Sequence, residues 1–216
     1  MPICTVFFDF GNVFATFSDQ KLLKNLSAYT TLSHEEIVDA LQGTPDNPGI
    51  WRKFEVGHVD DRTFHKGVIE ALGAAETLCD PRAFARAWTD IFLSVNHELE
   101  GILSALKQNE IAIYLLSNCD SLHYYNYFLQ HPFLLDHIPP ERHLLSFEMG
   151  ARKPERSIYD SALRQAKAKP AESLFIDDLP ENIAEWEAMG GHGLVYHAGK
   201  DPIGKLKDTL QKHQLI

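Results

Sequence analysis

Asp9, Ser117, Lys153 and the pair Asp177-Asp178 are the residues of this chain whose types could do chemistry together. A carboxylate can attack an electrophilic centre and carry a covalent intermediate. A hydroxyl and nearby backbone N–H groups can cradle a phosphoryl group, and a lysine can neutralise its charge. Adjacent carboxylates offer oxygen ligands to a hard divalent cation. Together these parts make a site for phosphoryl transfer to an aspartate. Each has a plain structural role when met alone: Asp after a strand shapes a turn, Ser-Asn caps a helix, and Asp-Asp opens one. Their shared setting sets them apart.

That setting is a series of short apolar runs. Cys4 to Phe8 is rich in β-branched and aromatic types and ends at Asp9 and Gly11. Ile111 to Leu116 ends at Ser117-Asn118, and Leu174 to Ile176 ends at Asp177-Asp178; Gly193 to Tyr196 is a weaker fourth run. All read as buried strands. Helical stretches follow over Pro154–Ala166, Glu181–Met189 (stopped by Gly190-Gly191) and about Pro202–His213. The alternation predicts an α/β fold, a Rossmann-like three-layer sandwich with a mostly parallel central sheet. In such sheets ligands bind outside the carboxyl ends of the strands, where these residues fall. Lys153 lies in the loop Gly150–Pro154 that opens a helix.

Residues 17–94 break the rhythm and read as helical throughout. Ser33 and Glu36 have capping-box spacing ahead of Ile37, Val38 and Leu41. Asp61–Leu72 and Pro81–Phe92 carry apolar residues at three- and four-residue spacing. The expectation is a small helical cap domain over 17–94, inserted after the first strand into a catalytic core of 1–16 and 95–216.

Bulk properties narrow the partners. The net charge of −10 disfavours nucleic acid and anionic membranes, so a phosphorylated ligand must be drawn in by local charge or a metal. No apolar run approaches membrane-spanning length, and no basic region precedes an apolar run at the N-terminus. The three cysteines, Cys4, Cys79 and Cys119, are widely spaced and form no CxxC pair. A reduced, cytoplasmic setting is the expectation. Monomer and homodimer both stay open.

The motifs in order are Asp-Phe-Gly-Asn-Val (Asp9 to Val13), Leu-Leu-Ser-Asn (Leu115 to Asn118), Gly-Ala-Arg-Lys-Pro (Gly150 to Pro154) and Phe-Ile-Asp-Asp-x-x-x-Asn (Phe175 to Asn182). This order resembles the haloacid dehalogenase-like hydrolase superfamily with its first type of cap, and within it the sugar-phosphate phosphatases with an Asp-x-Gly-Asn-Val opening. The resemblance implies a magnesium-dependent phosphatase acting on a small phosphorylated metabolite, a sugar phosphate in particular. It makes Asp9 the nucleophile that forms an aspartyl-phosphate. Asp9, Asp178 and the backbone carbonyl of Gly11 become Mg²⁺ ligands. Asp177 stands where the family usually has Gly, ligating or supporting, and Asn182 orients a metal-bound water. Ser117 and the backbone N–H of Asn118 bind phosphoryl oxygens, and Lys153 neutralises them. Read from its residues, the stretch Ile50–His58 mixes an aromatic with cations between helices, so Trp51 and Arg52 either contact the substrate from the cap or, for Trp51, pack between cap and core. Arg152 either contacts the phosphate or makes a surface ion pair, the second being favoured, and the cluster His123–Phe128 is assigned to helix packing or a dimer surface.

One position departs from the family. Its phosphatases usually carry a second Asp two residues after the nucleophile as general acid and base; here that residue is Gly11. Either a good leaving group needs no acid, or His58 or Asp60 of the cap supplies the proton. Two rival readings follow from the same gap: a metal-independent dehalogenase-type hydrolase, which the intact Asp177-Asp178 pair opposes, and a non-catalytic member that only binds phosphorylated ligands.

Overall fold

Alternation of side chains along Thr5–Phe8 (β1) decides the layering. Val6 and Phe8 point to one face and Phe7 to the other, and all three are fully buried. A strand apolar on both faces belongs in the middle of a covered sheet. In the computed structural model, which describes residues 2–44 and 46–216, β1 is the central strand. Met1 and Pro45, inside the spans expected for core and cap, lie outside the described residues.

The other strands are Ala15–Phe17 (β2), Phe92–Val95 (β3), Ala112–Ser117 (β4), His143–Leu145 (β5), Ser173–Asp177 (β6) and His192–Val195 (β7). Five of them form one parallel sheet in the order β5-β4-β1-β6-β7. Helices cover both faces. Leu99–Gln108, Pro132–His137 and Ile203–Lys212 meet Val6 and Phe8, and Arg156–Ala166 and Pro180–Ala188 meet Phe7, Leu116 and Phe175. Trp186 and Tyr159 stack edge-on in that second layer, ring centroids 5.7 Å apart. Burying each such side chain contributes about 1.5–3 kcal/mol. The α/β class and parallel sheet agree with the sequence expectation; β5, only three residues long, gave no periodic signal.

The segment between β2 and β3 is helical: Asp19–Ser27 (α1), His34–Gln42 (α2), Ile50–Glu55 (α3), Asp61–Leu72 (α4) and Pro81–Thr89 (α5). It has its own apolar centre, in which Phe54 and Phe64 stack at 3.9 Å beside Trp88. The capping box at Ser33 and Glu36 is formed in both directions. The expectation that 17–94 is helical throughout needs correction at both ends. Phe17 and Phe92–Ser94 belong to β2 and β3, which pair antiparallel with a register shift between Thr16 and Phe17. They form a two-stranded ribbon through which the chain leaves the core and returns.

Candidate functional site

The register of the sheet brings three strand ends to one point. Phe8 of β1 pairs with Leu115 and Ile176, so Asp9 emerges level with Leu116 and Asp177, with Ser117 one residue further along β4. The Asp9 N–H bonds to the Ile176 carbonyl at 2.8 Å, and the side chains of Asp9, Ser117 and Asp177 are buried. One oxygen from each of Asp9, Asp177 and Asp178 lies within 4.8 Å of the others.

Lys153 is the counter-charge. Its Nζ lies 2.8 Å from Asp9 Oδ1 and 2.7 Å from Asp177 Oδ2, and donates to the Leu116 carbonyl at 3.0 Å. Asn118 holds it in place with a reciprocal pair: its Oδ1 accepts from the Lys153 N–H at 2.8 Å, and its Nδ2 donates to the Lys153 carbonyl at 2.9 Å. The Asn118 side chain therefore positions lysine, which leaves only its backbone for a phosphoryl group.

Asp177 is fully buried and accepts three hydrogen bonds. Besides Lys153 it accepts from the Leu179 N–H at 2.9 Å and from Asn182 Nδ2 at 2.8 Å, which shapes the turn into helix Pro180–Ala188. Asp178 is less buried, and Asn12 donates to its Oδ2 at 2.8 Å. Asn12 has φ 53°, a left-handed conformation that Asn tolerates better than most residues, and it places the amide over Asp178. Buried Asn182 leaves its Oδ1 without a partner. Three converging carboxylates and an orphaned amide oxygen form an all-oxygen donor set suited to Mg²⁺.

The charges explain one another. Burial pushes Asp9 up to about 7; Lys153 opposes the rise, and Asp177 and Asp178 add to it. Burial also raises Asp178, against the Asn12 hydrogen bond. For Lys153 burial works against the ammonium, but Asp177 and Asp9 overcome it and hold its pKa above the ordinary value. A cluster with this surplus of buried negative charge is completed by a cation.

Above the carboxylates opens a cavity of about 450 Å³, in the range of small-molecule sites. Its floor is Asp9, Gly11, Ser117, Asn118, Lys153 and Asp178. Its roof comes from the helical block: apolar Leu22, Leu23, Val38, Trp51 and Ile91, with polar Asp19, Gln42 and Glu55. Trp51 lines the cavity while also meeting Trp88 edge-on at 5.1 Å.

Several expectations are corrected here. Arg52 does not line the cavity; Arg152 does, and its Nε pairs at 3.0 Å with Oε2 of Glu55, so it is no surface pair. His58 and Asp60 are exposed and outside the cavity, and Asp60 is spent capping α4 through Thr63. The packing expected of the His123 cluster holds for buried Tyr124, whereas His123 lines the cavity wall. Sequence reasoning missed Glu55, whose acidic type in an amphipathic helix carries no flag, and the bracing role of Asn12.

The block is fastened to the core by polar contacts. Trp88 Nε1 donates to Asp120 Oδ2 at 2.9 Å; His123 joins Asp120 through Nδ1 at 2.7 Å and the Trp88 carbonyl through Nε2 at 3.1 Å. Both neighbours of the ring can only accept, so both ring nitrogens donate and His123 is an imidazolium. Ser121 also donates to Asp61. Gly57, at φ 69°, lies so close to Phe147 that a Cβ would stand 2.0 Å from its carbonyl oxygen.

A buried carboxylate at the end of the central strand, braced by a buried lysine and beside two further carboxylates under a helical roof, is an arrangement able to accept a phosphoryl group. The family model of haloacid dehalogenase-like hydrolases matches residues 4–190, and the chain belongs to that family. A sesquiterpene phosphatase from Aspergillus oryzae is 28% identical over 200 residues, covering 89% of this chain and 91% of the relative. A D-ribitol-5-phosphate phosphatase from Bacteroides thetaiotaomicron is 25% identical, covering 87% and 89%. Among solved structures, a HAD-like hydrolase of Porphyromonas gingivalis superposes with TM-score 0.82 at 22% identity over 98% of this chain and 99% of the other. A HAD family enzyme of B. thetaiotaomicron in complex with magnesium and inorganic phosphate superposes with TM-score 0.76 at 23% identity, over 92% and 96%. Among the described residues no helix is long and apolar enough to cross a membrane.

Proposed function

We propose that this hydrolase is a magnesium-dependent phosphatase that removes phosphate from a small monoester through an aspartyl-phosphate on Asp9. The observation that carries the reading is the bridging of Asp9 and Asp177 by Lys153, with Asp178 alongside. The magnesium ligands are Asp9, Asp178 and the Gly11 carbonyl, with Asp177 and Asn182 supporting them. When bound, the ion neutralises phosphate charge and lets a carboxylate approach phosphorus. Lys153 keeps Asp9 ionised and faces the transferring group. Ser117 and the backbone of Asn118 hold phosphoryl oxygens, and the helical block, acting as the cap, excludes water. A dehalogenase has no use for the full set of carboxylates and the orphaned Asn182 oxygen. A site built only for binding has no use for a buried nucleophile.

Within this reading the organic group is a sugar, as the motif resemblance implies and as the ribitol-phosphate relative supports. A second reading rests on the roof. Leu22, Leu23, Val38 and Ile91 offer no hydrogen bonds to sugar hydroxyls and suit a mainly apolar alcohol, in keeping with the sesquiterpene phosphatase relative. Phosphate release from sugar phosphates and from isoprenyl monophosphates, with and without Mg²⁺ and with Asp9→Asn as control, tests both. Activity confined to one panel chooses the ester. Activity unchanged in Asp9→Asn, or in the absence of Mg²⁺, overturns the mechanism.

A further inference from the structure

With Gly11 in place of the usual acid, a leaving group too basic to depart alone draws its proton from elsewhere in the cavity. The carboxyl groups lining it outside the metal cluster are Asp19, Glu55 and Asp120. Asp120 is committed to Trp88 and His123. Asp19, in the first turn of α1, is exposed and paired with no cation among the described residues; burial against the cavity raises its carboxyl above the ordinary value, so it is the competing candidate that the test below includes. His123, with both ring N–H groups engaged, has no proton to offer a substrate.

Glu55 differs from all of these. It closes α3, its side chain is 15% exposed, and its carboxyl is held by Arg152 at 3.0 Å. Its backbone is fixed as well. Ser146 Oγ donates to the Glu55 carbonyl at 2.7 Å while accepting from the Cys119 N–H at 3.0 Å, next to the phosphate-binding Ser117-Asn118. The contact of Gly57 with the Phe147 backbone pins the same turn to the core. Glu55 is thus a carboxyl carried by the roof into the cavity that Asp9 lines, outside the metal cluster and fixed against the core by its backbone and by Arg152.

We propose that Glu55 is the general acid and base of the reaction, an inference that rests on the aspartyl-phosphate reading above. In the first half-reaction Asp9 attacks phosphorus, the ester P–O bond breaks, and the departing oxygen takes the Glu55 proton to leave as an alcohol. In the second, the Glu55 carboxylate takes a proton from water as its oxygen attacks phosphorus. The bond to Asp9 breaks, inorganic phosphate leaves, and Glu55 is again protonated. Burial holds the Glu55 carboxyl above its ordinary range; Arg152, Arg52 and Lys153 pull it down, and Asp120 pushes it further up.

The test is the dependence of kcat/KM on leaving-group pKa, measured from p-nitrophenyl phosphate through phenyl phosphate to alkyl phosphates with Mg²⁺. Wild type should show a shallow dependence. Glu55→Gln should match it on p-nitrophenyl phosphate and fall about 10²–10⁴-fold behind on alkyl esters, with phosphorylated Asp9 accumulating in intact-mass spectra. Asp19→Asn should follow wild type. A uniform loss across the series in Glu55→Gln marks a merely structural role and overturns the inference, as does a steep slope in wild type, which needs no variant to fold. A steep slope produced by Asp19→Asn instead moves the role there. If wild type releases phosphate from none of these esters, both this inference and the phosphatase reading fail, whereas activity with a flat response to Glu55→Gln removes this one alone.

Discussion

Phe17 stands in the space that a side chain at Gly11 would enter: a Cβ there would lie 2.9 Å from Phe17 Cε1 and 3.8 Å from Asp9 Oδ2. The usual acid is thus missing from the sequence and its place is filled by an aromatic ring at the edge of the ribbon. Gly11→Asp alone should destabilise by about 1–3 kcal/mol through overpacking and leave turnover of alkyl phosphates no better than wild type. Gly11→Asp with Phe17→Ala should recover stability and raise that turnover. Urea unfolding and kcat/KM for the two variants check this; a single variant faster than wild type would show that the ring yields freely.

Lys153 is the charge on which the cluster depends. Lys153→Met leaves Asp9 and Asp177 facing each other in a buried site, and removal of one partner of a buried ion pair costs about 3–5 kcal/mol. Unfolding of the metal-free variant should show a loss of that size, partly restored by Mg²⁺, and activity should fall below detection. A stable, active variant would remove Lys153 from both roles.

Asp9 ties metal binding to protons. In the metal-free protein burial pushes its pKa up to about 7. Because its pKa is raised in the fold, Asp9 favours folding most at acid pH, and this advantage is lost as pH rises through that value. Magnesium must displace the proton, so Mg²⁺ affinity should climb by roughly tenfold per pH unit below neutrality and level off above it. Titration calorimetry in buffers of different ionisation enthalpy will register the released proton, and Asp9→Asn should abolish the release.

The Trp88–Asp120–His123 contact carries a pH window of its own. Burial opposes the imidazolium, but Asp120 raises His123 above its ordinary 6.5, a contribution present below that value and lost as pH rises through the higher folded pKa. Burial likewise opposes ionised Asp120, but His123 and its hydrogen bonds hold it below 3.8, a contribution present above that value and lost as pH falls through the lower folded pKa. The fastening is therefore strongest from mildly acidic to neutral pH. Asp120→Asn should flatten the Tm-against-pH curve in that range and speed amide exchange in α5. Unchanged exchange would mean that apolar packing alone holds the block.

Strand ends were legible because short apolar runs and the residues after them are local signals; Asp9, Ser117 and Asp177-Asp178 needed no tertiary information. The capping box of α2 was legible for the same reason. What escaped depends on distant partners. Arg152 is a generic surface type until Glu55 meets it, and the bracing of Lys153 by the Asn118 side chain shows only when its amide is found on the Lys153 backbone. The ribbon strands were hidden because Phe17 and Phe92 are as acceptable at a helix end as in a strand. His58 and Asp60 are of types that carry protons, but whether they reach the cavity depends on the fold, which leaves both exposed and outside its lining.

The antiparallel pairing of β2 with β3 sets the entry and exit of the helical block side by side. Seen as joinery, the block is a plug-in part. Its two leads meet at one socket, and its interior is threaded between them without touching the order of the five parallel strands. A lineage could lengthen, shorten or exchange the part and keep β1, β4 and β6 aligned under it. Selection on the organic half of the ester can then proceed in one module while the phosphate half stays the same in the other.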